Sequence, residues 1–503
     1  MTAARRAMLA IDEGTTGTRS AWVTADGEVG GLEYRRLTVD YPAPGAVEQD
    51  AAQILAQTVD AVRATVAAAA DAGIELVGLA LTQQRLTAVV WDARTGEPLA
   101  PALVWQDSRH TPRLLELAEP WYERLFEVLG RPAGFGSPYL WAAELVASNP
   151  EVAAAHERGT LRLGTIDSWI LHGLTQGRVY ATSATNASAA GAYATASGGY
   201  YAEWVRELGL DPTLLPQIHP DQARYGTTSA EVVGVELPIL AVVGDQQAGA
   251  IGMGSIRPGQ VMCIHGTGSF VATNNGTERP AYRALEAPGA IPLVAWRDTT
   301  ETRYYAEGVV PTTGASLEWA CGVMRWFDSP QEVSALAAQA TSSGGVQFLP
   351  ALAGIMTPAI VPTVTAALSG VTAATTREQL ALALLEGVAH CVVDGLDANA
   401  LATGRAPVEM ISGGGLAASG PLLQAQADLS GLPVRRFESA EVASLRGAAF
   451  LAGAEGLLWG SLEEAAATLG EPAEFEPSIS EDERTARREA WRRRLAFEIE
   501  SAR

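Results

Sequence analysis

Two carboxylates in this sequence stand directly after apolar stretches and before turns of small residues. Asp12 ends the predicted strand 7–12, and Asp245 follows Gly244 at the end of a second apolar strand. At such a position a carboxylate can hold the hydration shell of a Mg²⁺ that bridges nucleotide phosphates. It can also accept a proton from a hydroxyl group that attacks a phosphoryl group. The structural alternative for each is a turn-stabilising or helix-capping Asp.

Two short turns combine glycine with hydroxyl side chains between predicted strands. They are Gly14-Thr15-Thr16-Gly17 and Gly266-Thr267-Gly268-Ser269, one in each half of the chain. Glycine permits the close approach and the φ values with which backbone N–H groups surround one anion. Either turn alone is also compatible with a plain hairpin. The pair favours two phosphate-binding loops and suggests an internal duplication.

Arg85 and Trp105 also follow predicted strand ends, each beside a glutamine. A guanidinium group offers forked donors to oxygen atoms, and an indole offers a flat apolar face. Together they suit a small hydroxylated ligand. Each is also compatible with an ordinary residue at the rim of a sheet.

The basic residues exclude several mechanisms. All 35 are arginine, and the sequence contains no lysine. A Gly-Lys-Ser/Thr phosphate loop, a protein-kinase strand lysine and a Schiff-base lysine are therefore absent. The net charge of −22 argues against nucleic acid or an anionic membrane as the main partner.

The cysteines and histidines are too scattered for a zinc site or a disulfide framework. Cys263, Cys321 and Cys391 are expected to be small buried residues in a reducing compartment. The apolar stretch after Arg6 is too short for a signal-peptide core. No uninterrupted apolar run approaches the ~18 residues of a membrane span. We therefore expect a cytoplasmic protein.

Strands and helices alternate in both halves, which predicts an α/β layered protein. The length of 503 residues favours at least two domains. We predict an N-terminal domain over 1–252 and a C-terminal domain over 253–503. Helices are predicted over 51–72, 112–129, 138–148, 377–402, 421–430 and 444–456. The Arg- and Glu-rich segment 481–503 is predicted to be a solvated helix.

With these motifs the sequence resembles the FGGY carbohydrate kinases, and within that family the glycerol kinases. The resemblance runs nearly end to end. Its motifs include Asp12-Glu13-Gly14-Thr15-Thr16, Gln84-Arg85, Val104-Trp105-Gln106, Thr185-Asn186-Ala187-Ser188, Gly244-Asp245-Gln246-Gln247, Gly266-Thr267-Gly268, Gly314-Ala315-Ser316 and Gly414-Gly415. The resemblance implies two actin-like (ribonuclease-H-like) domains with a catalytic cleft between them, ATP and Mg²⁺.

The resemblance also implies roles for individual residues. Asp245 is similar to the general base and Asp12 to the residue that organises Mg²⁺. The residues similar to ATP contacts are Thr15, Thr16, Arg19, Gly266, Thr267, Gly314, Glu318, Gly415 and Ser419. Those at positions that contact the substrate are Arg85, Leu86, Trp105, Tyr139, Asp245, Gln246 and Phe270.

Several positions depart from the glycerol kinase pattern. Leu86 stands where those enzymes have Glu, and Glu13 and Glu318 stand where they usually have Gln. Ser419 replaces Asn, and segment 231–237 lacks the arginine of a fructose-bisphosphate loop. We expect an ATP-dependent kinase that phosphorylates a primary hydroxyl of a small polyol or sugar, with glycerol as the leading candidate. A kinase for another polyol or a ketose, and a non-catalytic nucleotide-binding protein, are the alternatives, and a homo-oligomer remains open.

Overall fold

The computed structural model describes residues 5–134, 136–280 and 289–502. The strands are β1 (Arg5–Glu13), β2 (Gly17–Thr24), β3 (Val29–Arg36), β4 (Glu48–Gln49), β5 (Ile74–Gln83), β6 (Ala88–Asp92), β7 (Glu97–Pro98), β8 (Ala102–Leu103), β9 (Leu161–Thr165), β10 (Ala181–Ser183), β11 (Tyr193–Ala194), β12 (Gly199–Tyr200), β13 (Gln217–His219), β14 (Gln222–Thr227), β15 (Pro238–Gly244), β16 (Gln260–His265), β17 (Ser269–Gly276), β18 (Ile291–Arg297), β19 (Thr302–Val310), β20 (Gln347–Leu349), β21 (Ala367–Ser369), β22 (Glu409–Gly414), β23 (Val434–Arg436) and β24 (Ala473–Phe475). The helices are α1 (Ala51–Asp71), α2 (Thr111–Ala118), α3 (Tyr122–Leu129), α4 (Pro138–Ser148), α5 (Pro150–Glu157), α6 (Ile166–Leu174), α7 (Ala184–Ala189), α8 (Ala202–Glu207), α9 (Ala230–Val233), α10 (Asp245–Gly252), α11 (Gly314–Glu318), α12 (Pro330–Ala337), α13 (Arg377–Thr403), α14 (Gly420–Ser430), α15 (Ala443–Gly453), α16 (Leu462–Ala466) and α17 (Glu481–Ser501).

These elements form two compact regions that interleave along the chain. The N-terminal region contains the residues up to Gly254, Leu293–Arg303 and Val442–Thr468. The C-terminal region contains Ser255–Pro292, Tyr304–Glu441 and the residues from Leu469 onwards. Both regions combine sheets with helices, so the predicted α/β class is confirmed.

The main sheet of the N-terminal region has the strand order β14-β15-β5-β1-β2-β3. Strands β1, β2 and β3 form an antiparallel meander, whereas β5 runs parallel to β1 and β15 parallel to β5. Leu9, Ile11, Leu79 and Val242 from the three parallel strands are fully buried in one core. Parallel strands with covered faces read as continuous apolar runs, which is why the sequence pattern identified them.

The C-terminal region repeats this arrangement. Strand β16 is antiparallel to β17, and β17 is antiparallel to β19. On the other side β22 runs parallel to β16, and β23 parallel to β22. The similarity suspected from two glycine turns therefore extends over five strands in each region.

Helix α15 belongs to the N-terminal region, where it packs on α10. A Cβ atom added to Gly447 would lie 1.8 Å from the carbonyl oxygen of Ala248. A Cβ atom added to Gly252 would lie 1.9 Å from the carbonyl oxygen of Ala443. Only glycine permits such a close approach of two helix backbones. This contact fixes α10, the helix that begins with Asp245.

The capping and breaking residues explain the helix limits. Asp50 caps α1 by accepting hydrogen bonds from Ala52 N and Gln53 N. The predicted helix 112–129 is instead two helices, because Pro120 interrupts it with a short 3₁₀ turn. Prediction and structure agree at both ends of α4.

Helix α13 is the one described helix with the length and apolar composition of a membrane span. Its sequence contains no uninterrupted apolar run of that length, so the run-based prediction did not detect it. Within its most apolar window 78% of the residues are buried inside the protein. It therefore occupies the position of a core helix.

Helix α17 confirms the predicted C-terminal helix but corrects its predicted exposure. Arg488 and Trp491 are 5% and 1% exposed. Arg488 Nη2 lies 2.6 Å from Asp394 Oδ1, and Trp491 Nε1 donates to Asp394 Oδ2 at 2.7 Å. One face of this charged helix is buried because its arginine and indole are paired with a carboxylate of α13.

Candidate active site

Three parallel strands of the N-terminal region end at the same edge of the sheet. Asp12 of β1 is opposite Thr82 of β5, and Gly244 of β15 is opposite Gln83 of β5. The residues that follow these strand ends therefore lie side by side. Ligands of open α/β sheets bind at the carboxyl ends of the strands.

Asp245 is the first residue of α10 and lies beside Arg85. Arg85 Nε is 3.6 Å from Asp245 Oδ1, and both side chains are largely buried. Ser444 Oγ donates to the carbonyl of Asp245 at 3.2 Å, which attaches this residue to α15. A carboxylate held at a helix N-terminus and next to a guanidinium group can accept a proton from a bound hydroxyl.

Asp12 is the second carboxylate at this edge. Burial raises the pKa of Asp12 to about 7; Arg19 opposes the shift, and the negative charge of Asp245 adds to it. Arg19 Nη1 lies 3.6 Å from Asp12 Oδ2. The negative charges of the buried Asp12 and the partly buried Asp245 favour a bound cation, so these residues fit Mg²⁺. Among the described residues no three His, Cys, Asp or Glu side chains converge on one point, so such an ion would keep most of its waters.

The first glycine loop joins β1 to β2. Gly14 N donates to the carbonyl of Gly17 at 3.1 Å, which closes the turn. Thr15 is half-buried, whereas Thr16 is exposed. Thr15 Oγ1 donates to Gln84 Oε1 at 3.0 Å and accepts from Trp105 Nε1 at 3.0 Å. The loop is thus attached to two residues that follow other strands.

The second glycine loop belongs to the C-terminal region and joins β16 to β17. Gly266 N donates to the carbonyl of Gly268 at 2.8 Å. Gly314 N donates to the carbonyl of Gly266 at 3.1 Å, and Thr313 N donates to that of Thr267 at 2.9 Å. A Cβ atom added to Gly314 would lie 2.3 Å from the carbonyl oxygen of Gly266. The structure therefore brings together three of the predicted nucleotide residues, Gly266, Thr267 and Gly314.

A buried histidine, which sequence reasoning missed, holds this second loop. Gln426 Nε2 donates to His265 Nε2 at 2.9 Å, since Gln426 Oε1 already accepts from Ser412. His265 Nδ1 then donates to Ser269 Oγ at 2.7 Å, and Ser269 Oγ lies 2.8 Å from Thr313 Oγ1. Burial lowers the pKa of His265 to about 4, so the ring is neutral at pH 7.

Comparison with known proteins identifies the family. The model of the FGGY carbohydrate kinase N-terminal domain matches residues 7–252, and that of the C-terminal domain matches residues 261–455. The chain belongs to the FGGY family of carbohydrate kinases. It is 36% identical over 491 residues to the glycerol kinases of Geobacter sp. (strain M21) and Thermus brockianus, covering 97% of each.

Solved structures agree with this FGGY assignment. The structure of Plasmodium falciparum glycerol kinase with ADP has a TM-score of 0.92 at 25% identity, with 98% of each chain covered. Xylulose kinase from Rhodospirillum rubrum has a TM-score of 0.83 at 23% identity, again over 98% of each chain, which shows the shared fold alone.

Leu86 of this FGGY kinase has an unusual backbone. Its φ is +68°, a left-handed value that a leucine seldom adopts. Thr87 N donates to the carbonyl of Arg85 at 2.9 Å, so the chain makes a three-residue turn around Leu86. The side chain is half-buried and packs against the hydrophobic cluster that includes Tyr139. Strained backbone of this kind is concentrated at ligand sites.

Tyr139 and Gln246 complete the predicted substrate residues of the N-terminal region. Tyr139 is 4% exposed in α4 and packs edge-on against Tyr200. Burial raises the pKa of Tyr139 above the ordinary range. Gln246 Oε1 is buried and has no hydrogen-bond partner among the described residues, which leaves an acceptor beside Asp245.

The remaining predicted residues of this FGGY kinase lie in the C-terminal region. Phe270 is half-buried in β17, opposite Ile264 of β16. Gly415 begins a 3₁₀ turn after β22, and Glu318 is the exposed last residue of α11. Ser419 precedes α14, and its Oγ lies 2.9 Å from Ser334 Oγ. The hydroxyl group of Ser419 is therefore already hydrogen-bonded to that of Ser334.

Proposed function

We propose that this chain transfers the γ-phosphoryl group of ATP to a primary hydroxyl of glycerol. Asp245 carries the proposal, because it lies beside Arg85 at the edge of the sheet where Asp12 and the first glycine loop also lie. The glycerol kinases that the chain matches over 97% of its length support the choice of substrate.

In this mechanism Asp245 accepts the proton of the attacking hydroxyl. Arg85 binds the oxygens of the polyol, and the exposed indole of Trp105 covers its carbon side. Tyr139, Gln246 and Phe270 complete the proposed polyol contacts. Thr15, Thr16 and Arg19, together with Gly266, Thr267, Gly314, Glu318, Gly415 and Ser419, are the proposed ATP contacts. Such contacts lower the barrier of phosphoryl transfer chiefly by positioning the reacting groups and neutralising their charge.

We also propose that the reaction uses Mg²⁺. Asp12 would hold the ion through its waters, and the ion would neutralise charge on the phosphates. Asp12 must lose its proton for this purpose, and its pKa of about 7 means that Mg²⁺ binding releases protons at neutral pH.

The second candidate is a kinase for another polyol or for a ketose. Leu86 favours it, because a leucine cannot accept a hydrogen bond from a substrate hydroxyl. A substrate with carbon or a carbonyl group at that position would avoid an unpaired hydroxyl.

A screen of ADP release tests both candidates. Glycerol, tetritols, pentitols and ketoses are supplied separately, each with Mg²⁺ or with chelator. The proposal expects the highest kcat/KM with glycerol and no turnover in chelator. A higher kcat/KM for a ketose would favour the second candidate, and no stimulation by any compound would favour a non-catalytic nucleotide-binding protein.

A further inference from the structure

Gln84 is the centre of a buried hydrogen-bond network in the N-terminal region. Its Oε1 accepts from Thr15 Oγ1 and from Thr87 Oγ1, both at 3.0 Å. Its Nε2 donates to Gln49 Oε1 at 3.0 Å, and Gln49 Nε2 donates to the carbonyl of Thr15 at 2.8 Å. Gln84 and Gln49 are 2% and 1% exposed. The two amides therefore bind both the side chain and the backbone of the first glycine loop.

The same network reaches the residue proposed to cover the substrate. Trp105 Nε1 donates to Thr15 Oγ1 at 3.0 Å, and Trp105 N donates to Thr87 Oγ1 at 3.1 Å. Trp105 is therefore connected to Gln84 twice, once through each threonine. Trp105 is 44% exposed, so a ligand can contact it without breaking these bonds. We call Gln84, Gln49, Thr15, Thr87 and Trp105 the Gln84 network.

The hydroxyl group of Thr15 has a single proton, and the network uses it. Thr15 Oγ1 accepts from Trp105 and donates to Gln84, so it has no proton left for a phosphate oxygen. While the network is intact, the donors to an anion at this loop are backbone N–H groups, the hydroxyl group of the exposed Thr16 and Arg19. Their direction depends on the loop backbone, which Gln49 holds at the carbonyl of Thr15.

We propose that Gln84 is a positioning residue that couples polyol binding at Trp105 to ATP binding at the first glycine loop. This inference rests on the proposed function. A polyol packed on the indole restricts the Trp105 ring, and the two threonines transmit the restriction to Gln84 and to the loop. The loop is then preorganised for phosphate, so each substrate increases the affinity for the other by the same factor.

Steady-state kinetics of matched variants measure this coupling. The quantity is the ratio of KM for ATP at low glycerol to KM for ATP at saturating glycerol. We expect a ratio of about five or more in the wild type. Gln84→Met keeps the volume but removes both the acceptor and the donor, so the ratio should fall to about one.

Gln83→Met is the control. Gln83 is adjacent and fully buried, but its Oε1 and Nε2 have no hydrogen-bond partner among the described residues. The substitution is the same, and we expect the wild-type ratio. A general loss of packing would reduce thermal stability in both variants. It would not lower the KM ratio in Gln84→Met alone.

Trp105→Phe provides a second test if Gln84→Met does not fold. Phenylalanine keeps an aromatic face but cannot donate to Thr15, so the ratio should again approach one. Where Gln84→Met does fold, the double variant should show no further loss, because the two residues act through one network. A wild-type ratio of one, or an unchanged ratio in Gln84→Met or Trp105→Phe, would overturn the proposal.

The same data distinguish failure of the proposed function from failure of the coupling. If glycerol does not stimulate ADP release by the wild type, the proposed function fails and the inference falls with it. If glycerol is turned over while Gln84→Met and Gln83→Met give equal ratios, only the coupling is wrong.

Discussion

The two glycine loops occupy equivalent positions in two similar sheets, yet they are held in different ways. The first follows two acidic residues, Asp12 and Glu13. Leu37 N donates to the carbonyl of Thr16, and further attachments are made by the side chains of Gln84, Gln49 and Trp105. The second follows His265 and is attached mainly by its backbone to the segment that begins α11. A loop held by side chains can respond to a ligand at those side chains. A loop held by backbone bonds and a buried neutral histidine is a fixed element.

This difference suggests that two repeats of one fold have different roles. The N-terminal repeat combines charges and side-chain contacts at its strand ends, which fits the proposed roles in chemistry and substrate binding. The C-terminal repeat offers an uncharged loop that is held mainly by backbone hydrogen bonds. The same topology therefore supports two roles, because the residues at the strand ends differ.

The largest expected effect is that of Asp245→Asn in the N-terminal region. The amide keeps the shape but cannot take the hydroxyl proton, so kcat should fall by about 10²–10⁴. ATP affinity should stay nearly unchanged. Initial rates and equilibrium nucleotide binding provide the two measurements, and a kcat equal to that of the wild type would remove Asp245 from the mechanism.

His265→Phe should remove the hydrogen bonds that hold the second loop and so lower the free energy of unfolding. The ring shape is retained, but Ser269 and the amide of Gln426 lose their partner, which costs about 2–4 kcal/mol of unfolding free energy. Thr15→Val, in the half-buried first loop, should lower the free energy of unfolding by a smaller amount. Urea unfolding of both variants measures the difference, and equal losses would contradict the contrast between the two loops.

The stability of the wild type should depend on pH in part through His265. Its folded pKa of about 4 is below the unfolded value of 6.5, so the unfolded state binds the extra proton first. Stability should fall as pH decreases from about 6.5 towards 4, by about 2 kcal/mol at pH 5. This contribution should be missing in His265→Phe, and parallel curves for the two proteins would refute it.

At the first loop, Glu13 should make stability depend on pH in the opposite direction to His265, and Glu13→Gln tests this. Burial raises the pKa of Glu13 to about 8, against hydrogen bonds from Thr18 and Thr58 that lower it. Because the folded pKa exceeds the unfolded one, stability is lost as pH rises towards 8. Oε1 of Glu13 has no partner among the described residues, so an amide there loses no bond. The variant should gain a few degrees in Tm relative to the wild type between pH 6 and 8, and a constant difference would contradict the assignment.

The smallest expected effect concerns substrate choice at Leu86. A glycerol hydroxyl directed at leucine lacks an acceptor, so the wild type should have a high KM for glycerol. Leu86→Glu should lower that KM by about tenfold. Leu86→Gln is the control that adds an acceptor without charge. Tight glycerol binding by the wild type, with no gain in Leu86→Glu, would show that another residue such as Asp107 supplies the acceptor.

Local patterns predicted the parts of this fold that depend on neighbouring residues. The ends of β1 and β15 were identifiable to within one residue, beside Asp12 and Asp245, because apolar runs stop there at small and polar residues. The cap at Asp50 and the limits of α4 were predictable for the same reason.

Contacts between distant segments could not be predicted in this way. Thr15 is hydrogen-bonded to Gln84, 69 positions later in the sequence, and to Trp105, 90 positions later. The buried face of α17 depends on Asp394, 94 positions before Arg488. The left-handed backbone of Leu86 gave no signal either, because leucine has no preference for that conformation.

Formation of a phosphorylated glycerol from glycerol and ATP, with Asp245 as the base, can be measured directly. Phosphorus NMR of a reaction with glycerol, ATP and Mg²⁺ identifies the product and compares its amount with that of ADP. We expect one phosphomonoester of glycerol per ADP in the wild type and almost none over the same time in Asp245→Asn. ADP accompanied by inorganic phosphate alone, or equal product formation by both proteins, would contradict it.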